Sequence, residues 1–289
     1  MAIQLGDIGL WTPPTIWDIE ETVRREAVAE LVELGCSAVW LGNASGDLNL
    51  VSELLSADKK VVVATGIVNV WTHDATELAD AYQQVDRTYP GRALIGLGSS
   101  HAPLVEPTGQ AYVKPFSKLR SYLDELDAAE PPMPPQARVL AALGPRTIEL
   151  AGQRAAGAHP YLTTPEHTAW ARELLGEGPL LAPEQKVVVE SDPDKARTTA
   201  REVLAMYLSL PNYLNNLRRF GFGEDDVHDG GSDRLVDALV AWGDVDTIAG
   251  RLREHHDAGA NHVAIQVLAG SVDEVLAQYR LLSPALTRS

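Results

Sequence analysis

Short apolar runs alternate with amphipathic helical segments along almost the whole chain, and this alternation limits the possible folds more than any other feature. Such alternation is typical of a parallel sheet covered by helices. Eight runs qualify as strands, at residues 3–11, 37–43, 60–70, 92–99, 137–143, 156–162, 185–190 and 261–268. Eight strands in 289 residues predict an α/β fold in which residues 1–289 form one (β/α)8 TIM barrel domain. A doubly wound sheet is the alternative.

The spacing between the last two strands is too long for a single crossover helix. Residues 191–260 separate them and contain four helical segments, at 193–208, 211–220, 232–242 and 244–258. The loop "GFGEDDVHDGG" interrupts these helices. The excess length predicts an insertion between strands 7 and 8 of the barrel.

The charge of the chain restricts its partners. It carries 24 Lys and Arg against 40 Asp and Glu, a net charge of -16. So acidic a surface repels phosphate backbones and anionic lipids, so we expect neither nucleic acid nor membrane as a partner. An anionic ligand would need a local cluster of donors. Because no targeting segment or apolar run of transmembrane length is present, we expect a cytoplasmic protein.

The cysteine and histidine content predicts no metal site. Cys36 is the only cysteine, which excludes an intrachain disulfide and a cysteine-based zinc cluster. His255 and His256 in "EHHDAG" lack the spacing of a helical zinc site. We therefore expect these two histidines at an exposed helix end.

A glycine interrupts the third strand. In "VVVATGIVNVW", residues 61–71, Gly66 follows a run that otherwise reads as a buried strand. Glycine in a strand weakens it and usually marks a bulge or a close approach by another group. Asn69 and Trp71 follow directly, so the interruption lies near the end of the strand.

The fourth strand ends in a glycine-rich stretch, "GLGSSHAP". It does not match the dinucleotide fingerprint, because the residue three positions after Gly98 is His101 and not glycine. In a barrel, however, the C-terminal ends of the strands form the active-site face. Ser99, Ser100 and His101 would then border a pocket; an ordinary strand-to-loop turn is the alternative.

The fifth strand leads into "ALGPRTIELAG", residues 142–152. Gly144, Pro145 and Arg146 stand between the strand and a helix. Free backbone N–H groups at a helix start, beside an arginine, suit an anion such as a phosphate. The alternative is an ordinary helix start.

These motifs together resemble one known family, the luciferase-like flavin and deazaflavin oxidoreductases, and within it the actinobacterial branch that uses coenzyme F420. The resemblance covers nearly the whole chain. It rests on "LVELGCSAVWLGN", "VVVATGIVNVWTHDATELADAY", "GRALIGLGSSHAP", "VLAALGPRTIELAG" and "GDVDTIAGRLREHHDAGANHVAIQVL".

The resemblance implies a barrel with an insertion, hydride transfer at the deazaflavin ring of F420, a small-molecule substrate and a homodimer. It places Asn43 beside the ring, as a cofactor contact and candidate catalytic residue. Gly66 and Ile67, joined by a cis peptide bond, would lie behind the ring. Gly98 and Ser99 would line its edge. The remaining cofactor contacts, to the phosphate, would be Ala142, Leu143, Gly144, Pro145 and Arg146.

The chain also departs from the family. Sugar-phosphate dehydrogenases of this family carry an acidic residue followed by histidine after the second strand, where this chain has Asn43 and Ala44. Ser99 replaces a glutamate after the fourth strand. That activity is therefore not expected, and His101 is the remaining candidate for proton transfer. An FMN-dependent monooxygenase and a barrel that binds a ligand without turnover are the alternatives.

Overall fold

A computed structural model describes residues 3–286, within which parallel strands and helices alternate. The strands are β1 (Ile8–Thr12), β2 (Ala38–Leu41), β3 (Val62–Thr65), β4 (Val68–Asn69), β5 (Ala93–Gly98), β6 (Arg138–Leu140), β7 (Gly157–Ala158), β8 (Leu180–Leu181), β9 (Glu184–Val188), β10 (Val240–Trp242) and β11 (Val263–Val267).

Helices follow the strands along the chain, and most of them pack on the outer face of the sheet. They are α1 (Glu21–Glu33), α2 (Asn49–Ala57), α3 (Ala75–Thr88), α4 (Ala102–Val105), α5 (Pro115–Ala128), α6 (Pro145–Arg154), α7 (Pro165–Leu175), α8 (Pro193–Tyr207), α9 (Pro211–Arg219), α10 (Glu224–Val227), α11 (Asp233–Leu239), α12 (Val245–Asp257) and α13 (Val272–Leu286). None of those between residues 3 and 286 combines the length and apolar character needed to cross a lipid bilayer.

The sheet curls into a TIM-like barrel, as the strand count predicts. All pairings are parallel, and β1 pairs with both β2 and β11. The segment that contains β8 and β9 completes the barrel. Its Ala182 N–H donates to Ala158 O at 2.9 Å on one side, and its Pro183 O accepts from Ala264 N at 2.9 Å on the other. Strands β3 and β4 together occupy one barrel position, as do β8 and β9.

The third strand is broken at the predicted glycine. Strand β3 ends at Thr65, β4 begins at Val68, and the peptide bond between Gly66 and Ile67 is cis. The sequence-based expectations of a bulge and of a cis bond at this position are both confirmed.

The insertion between strands 7 and 8 is present, but one of its elements differs from the prediction. Residues 232–242 were expected to be helical throughout. Helix α11 ends at Leu239, and β10 continues from Val240 to Trp242 and pairs with β9. Val240 and Ala241 are buried in this pairing and Trp242 is half-buried. The β-branched Val240 and the aromatic Trp242 favour a strand.

The apolar core has two layers. The larger lies between the barrel and its helices. The smaller fills the barrel interior with small residues around Trp11 and Trp40. Trp40 stacks on His159 at a ring distance of 4.2 Å and donates to His262 Nε2 at 2.9 Å. A third apolar cluster joins the insertion to the strand ends. The insertion is thereby held over the C-terminal end of the barrel.

Candidate functional site

The C-terminal ends of the strands, which we call the barrel mouth, bring several predicted site residues together. Strand β4 pairs with β5 so that Asn69 lies opposite Gly98. A Cβ atom on Gly98 would lie 2.9 Å from Ile67 Cγ1, so Ile67 packs into the space that Gly98 leaves. Ala44 N donates to Ile67 O at 3.1 Å, which brings the exposed Asn43 next to the bulge.

The space beside Gly66 is filled by side chains of the chain itself. A Cβ atom there would lie 2.6 Å from Trp11 Nε1 and 2.9 Å from His159 Nε2. Both nitrogens are buried and have no hydrogen-bond partner among residues 3–286. Burial lowers the pKa of His159 to about 4, so its ring is neutral at pH 7. Glycine is therefore required at position 66 by packing inside the barrel.

The segment after β5 contacts the insertion. Trp71 Nε1 donates to Ser99 O at 3.0 Å. His101 is half-buried, and its ring lies 5.0 Å from the ring of Tyr213 on α9, with Asn212 Nδ2 3.4 Å from Nδ1. Desolvation lowers the pKa of His101. Within the described residues, no hydrogen bond or ring contact joins His101 to Asn43.

The loop between β6 and α6 has the features of an anion site. Gly144 precedes the helix, Pro145 is its first residue, and no atom lies within 4 Å of where a Cβ on Gly144 would stand. Arg146 is exposed, and its guanidinium stacks on Phe116 at 4.1 Å. In the described part of the chain Arg146 forms no ion pair with a carboxylate. Ala142 is 2 % exposed and packs in the layer under the helices, so only its backbone could contact a ligand here.

Two side chains position this loop from outside. The carbonyl oxygen of Leu143 accepts from His167 Nε2 at 3.1 Å and from Arg219 Nη1 at 3.4 Å. Arg219 belongs to α9 of the insertion, and its guanidinium also stacks on Trp170. The insertion therefore contributes a second positive charge beside the loop.

Several of the segments that form the mouth contain no acidic residue. No Asp or Glu occurs in residues 87–105, 107–123, 131–148 or 203–223. These stretches contain β5, the segment after it, the first half of α5, the β6–α6 loop and α9. In a chain of net charge -16, this distribution lowers the repulsion that an anionic ligand would meet at the mouth.

A cleft of about 500 Å³ next to the mouth has the opposite character. It lies between the β2–α2 loop and the start of α3, and Asp47, His73, Asp74 and Glu77 are among its lining residues. Because carboxylates dominate this lining, the cleft does not suit a phosphate.

A polar cluster inside the barrel was not predicted from the sequence. Glu184 pairs in register with Ala264, and Lys186 with Gln266, so all four share the inner face. Lys186 Nζ lies 3.1 Å and 3.2 Å from the two carboxylate oxygens of Glu184. Both side chains are fully buried. Burial raises the pKa of Glu184 and lowers that of Lys186, while their mutual attraction opposes both shifts.

Tyrosines cover this ion pair on the side of the mouth. The Lys186 ammonium lies 3.8 Å from the ring centroid of Tyr161 and 5.1 Å from that of Tyr207. Tyr161 Oη is 2.8 Å from Tyr207 Oη and 2.9 Å from Gln266 Oε1. The Trp11 ring lies 5.1 Å from Tyr161. The cluster thus forms an aromatic floor with a few polar groups.

One sequence signal could have revealed this cluster. "PEQKVVVE" places Glu184 and Lys186 two positions apart in an apolar run, so both must face the same side of a strand that is buried on both faces. Buried charges in such a strand indicate a polar interior.

The prediction that the histidines of "EHHDAG" lie at an exposed helix end is wrong: His255 is buried and His256 is half-buried. His255 is 0 % exposed, and its Nε2 lies 2.9 Å from Gln185 Oε1. The helix end packs on the barrel, and burial lowers the pKa of His255 to about 3. Among residues 3–286, no three His, Cys, Asp or Glu side chains are grouped to bind a metal ion.

Comparisons with known proteins agree with this architecture. The chain is 23% identical to a Mycobacterium tuberculosis protein provisionally named a coenzyme F420-dependent oxidoreductase, over 95% of this chain and 96% of that protein. The coenzyme F420-dependent tetrahydromethanopterin reductase from Methanopyrus kandleri superposes with a TM-score of 0.76 at 17% identity, over 98% of this chain and 100% of that one.

An FMN-containing structure has the same fold. The oxygenating constituent of the Pseudomonas putida 3,6-diketocamphane monooxygenase, in complex with FMN, superposes with a TM-score of 0.66 at 13% identity, over 98% of this chain and 97% of that chain. The profile described as luciferase-like monooxygenase matches residues 7–262. That match covers most of the barrel, so the chain belongs to the luciferase-like monooxygenase family and is an oxidoreductase by family.

Proposed function

We propose that the protein is an F420-dependent oxidoreductase that transfers a hydride between the deazaflavin and a small organic substrate. The observation that carries the proposal is Arg146, an exposed arginine without a carboxylate partner at a helix start on the mouth of a luciferase-like barrel. The Mycobacterium tuberculosis relative supports F420 in preference to other flavins.

The residues present fit such a cofactor. Its phosphate would contact the backbone of Ala142, Leu143, Gly144 and Pro145 and the side chain of Arg146. The open space at Gly144 and the absence of acids from residues 131–148 suit a negative charge there. Ile67, seated on Gly98, presents an apolar side chain on which a flat ring can rest, with Ser99 at its edge and Asn43 beside it.

When bound, F420 supplies a two-electron hydride carrier. The chain's own residues bind the cofactor and substrate and manage the proton. His101 is our candidate for proton transfer, because its lowered pKa keeps the ring neutral at pH 7 and able to accept a proton. The 3.4 Å contact with Asn212 Nδ2 is long, so Nδ1 can exchange this weak bond for a proton.

An FMN-dependent monooxygenase is the second candidate function. It is favoured by the family description and by the FMN complex that shares the fold. FMN also carries a phosphate, so Arg146 does not distinguish the two cofactors. A barrel that binds a ligand without turnover is the third candidate function.

Equilibrium binding of three ligands tests the proposal. Purified protein is titrated with F420, with FMN and with the deazaflavin riboside that lacks the phosphate, and ligand fluorescence is followed. We expect F420 to bind at least about tenfold more tightly than the riboside, because one charge-assisted contact to the phosphate is worth roughly 1.5–3 kcal/mol. We also expect F420 to bind more tightly than FMN, as the Mycobacterium tuberculosis relative suggests. Tighter binding of FMN would favour the monooxygenase.

A further inference from the structure

We propose that Tyr207 and Gln266, oriented by Tyr161, bind the oxygen of the substrate, and that the substrate is an uncharged secondary or primary alcohol, or its carbonyl product, with an apolar or aromatic body. This inference rests on the proposed function, since it names the substrate class of the same site. It follows from the hydrogen-bonding capacity of three side chains.

The direction of the hydrogen bonds in the cluster is fixed by counting protons. Tyr161 Oη contacts both Tyr207 Oη at 2.8 Å and Gln266 Oε1 at 2.9 Å, yet a phenol has one proton to donate. The amide oxygen Oε1 can only accept, so Tyr161 donates to Gln266. Tyr207 must then donate to Tyr161.

This arrangement leaves unused hydrogen-bonding capacity of opposite kind on the two residues that Tyr161 Oη contacts. The lone pairs of Tyr207 Oη remain free to accept, and the Nε2 amino group of Gln266 makes no hydrogen bond within residues 3–286. A hydroxyl group on a ligand can donate to Tyr207 and accept from Gln266. A carbonyl oxygen can accept from Gln266 alone.

The surroundings exclude charged ligands. The nearest cation, Lys186, already binds both carboxylate oxygens of Glu184 and faces the Tyr161 ring, so the pair is neutral overall. The other neighbours are aromatic rings: Trp11 lies 5.1 Å from Tyr161, and Tyr213 lies 5.5 Å from Tyr207. A charged ligand would lose its hydration without finding a counter-charge, whereas apolar or aromatic groups pack well here.

The position of the cluster suits a substrate. Tyr213 also touches His101 at 5.0 Å, so the cluster is continuous with the proposed proton-transfer residue. It lies at the side of the mouth formed by β7, β9 and β11. The contact of Ile67 with Gly98, which we assign to the cofactor ring, lies across the barrel.

Three probes of one shape test the inference: 1-phenylethanol, acetophenone and ethylbenzene, which carries no oxygen. Their affinities are measured by ligand-observed NMR titration, with and without F420. Gln266→Leu should weaken the binding of 1-phenylethanol and of acetophenone about five- to tenfold, because one hydrogen bond is lost. Tyr207→Phe should weaken the binding of 1-phenylethanol by the same factor and that of acetophenone by less than about twofold. Neither variant should change ethylbenzene binding.

Tyr112→Phe is the matched control, because Tyr112 donates its hydroxyl to Ser100 O outside the cluster and should leave all three affinities unchanged. The inference is overturned if the wild-type protein binds neither oxygenated probe, or if both variants leave their affinities unchanged. It is also overturned if a variant binds all three probes more weakly by the same factor, since that would indicate a packing defect. Failure of F420 to bind is read separately in the same titrations and would contradict the proposed function alone.

Discussion

At the scale of single residues, the proposed phosphate site depends most on Arg146. Arginine suits phosphate because its planar guanidinium donates two parallel hydrogen bonds. The stack on Phe116 holds the guanidinium near the helix start without neutralising it. Among residues 3–286 no carboxylate pairs with Arg146, so its charge is available to an anionic ligand.

Replacing Arg146 with alanine should weaken F420 binding by roughly 1.5–3 kcal/mol, because one charge-assisted contact to the phosphate is lost. Binding of the deazaflavin riboside, which has no phosphate, should be unaffected. Fluorescence titration measures both. Arg120→Ala serves as a control for the loss of a nearby positive charge. Unchanged F420 affinity in the Arg146 variant would rule out the assigned phosphate site.

His101 is the second residue whose role can be tested alone. His101→Ala should lower turnover about a hundredfold or more, while cofactor affinity stays nearly intact, because the residue acts on a proton and not on the phosphate. The assay follows the absorbance of F420 at saturating cofactor. Should turnover survive, His101 is a packing residue against Tyr213 and the proton comes from another group.

At the scale of elements, β9 carries charge where a barrel strand is expected to be apolar. The Glu184 and Lys186 pair is satisfied internally by two hydrogen bonds and by the Tyr161 ring. Such a pair contributes little net stability compared with apolar residues, but breaking it leaves one buried charge without a partner.

Glu184→Gln should therefore destabilise the protein by about 3–5 kcal/mol, since the Lys186 ammonium loses its counter-charge. The double variant Glu184→Gln with Lys186→Met removes both charges and should recover most of this loss. Urea unfolding followed by circular dichroism gives the free energies. A double variant that is no more stable than the single one would show that the pair is not the source of the effect.

The elements also show what a sequence can and cannot predict. Apolar runs and helix spacing were sufficient for the barrel positions, the insertion and the bulge at Gly66, because these follow from local patterns. The strand lengths were less accurate: residues 156–162 were expected to be a strand, and β7 spans only Gly157–Ala158. The predicted end of α11 was wrong because β10 forms by pairing with β9, which is a tertiary contact that local patterns do not show.

The candidate site divides in the same way. Motif residues such as Gly98 and Arg146 could be found because each lies at a strand end or helix start. The cluster of Tyr161, Tyr207 and Gln266 could not, since its members come from the segment after β7, from α8 and from β11, and meet only in the folded barrel. Only the alternation of Glu184 and Lys186 along one strand gave a local hint.

At the scale of the whole molecule, buried histidines make stability depend on pH. His159, His167 and His262 have pKa values lowered to about 4, and that of His255 is lowered to about 3, in each case because burial disfavours the charged ring. In the unfolded chain a histidine titrates near its ordinary pKa of about 6.5. Between these values the unfolded state binds more protons than the folded state.

Stability should therefore be fully present above pH 6.5 and fall as the pH drops toward 4, by up to about 1.4 kcal/mol per pH unit for each of these histidines. Urea midpoints at pH 7.5, 6.5 and 5.5 measure the fall. His255→Gln should reduce the slope, and the exposed His228→Gln should not. Equal midpoints at pH 7.5 and 5.5 would contradict the linkage.

The association state is the last property of the whole molecule that can be predicted. Helices α1 and α13 are neighbours, joined by the ion pair of Glu30 and Arg280. Each carries an exposed apolar side chain, with Val23 43% and Leu281 57% exposed. Apolar side chains of this size on adjacent helices are a surface that a second copy could cover. Family analogy also favours a homodimer.

We expect solution scattering at micromolar concentrations to give twice the mass of the 31.2 kDa chain. The double variant Val23→Glu with Leu281→Glu should be monomeric, because dimerisation would bury two charges on each copy without partners. Val113→Glu, which changes an exposed apolar residue elsewhere, should stay dimeric. A wild-type protein of monomeric mass throughout the concentration range would contradict the homodimer. A double variant that stays dimeric would show that the interface lies on another face.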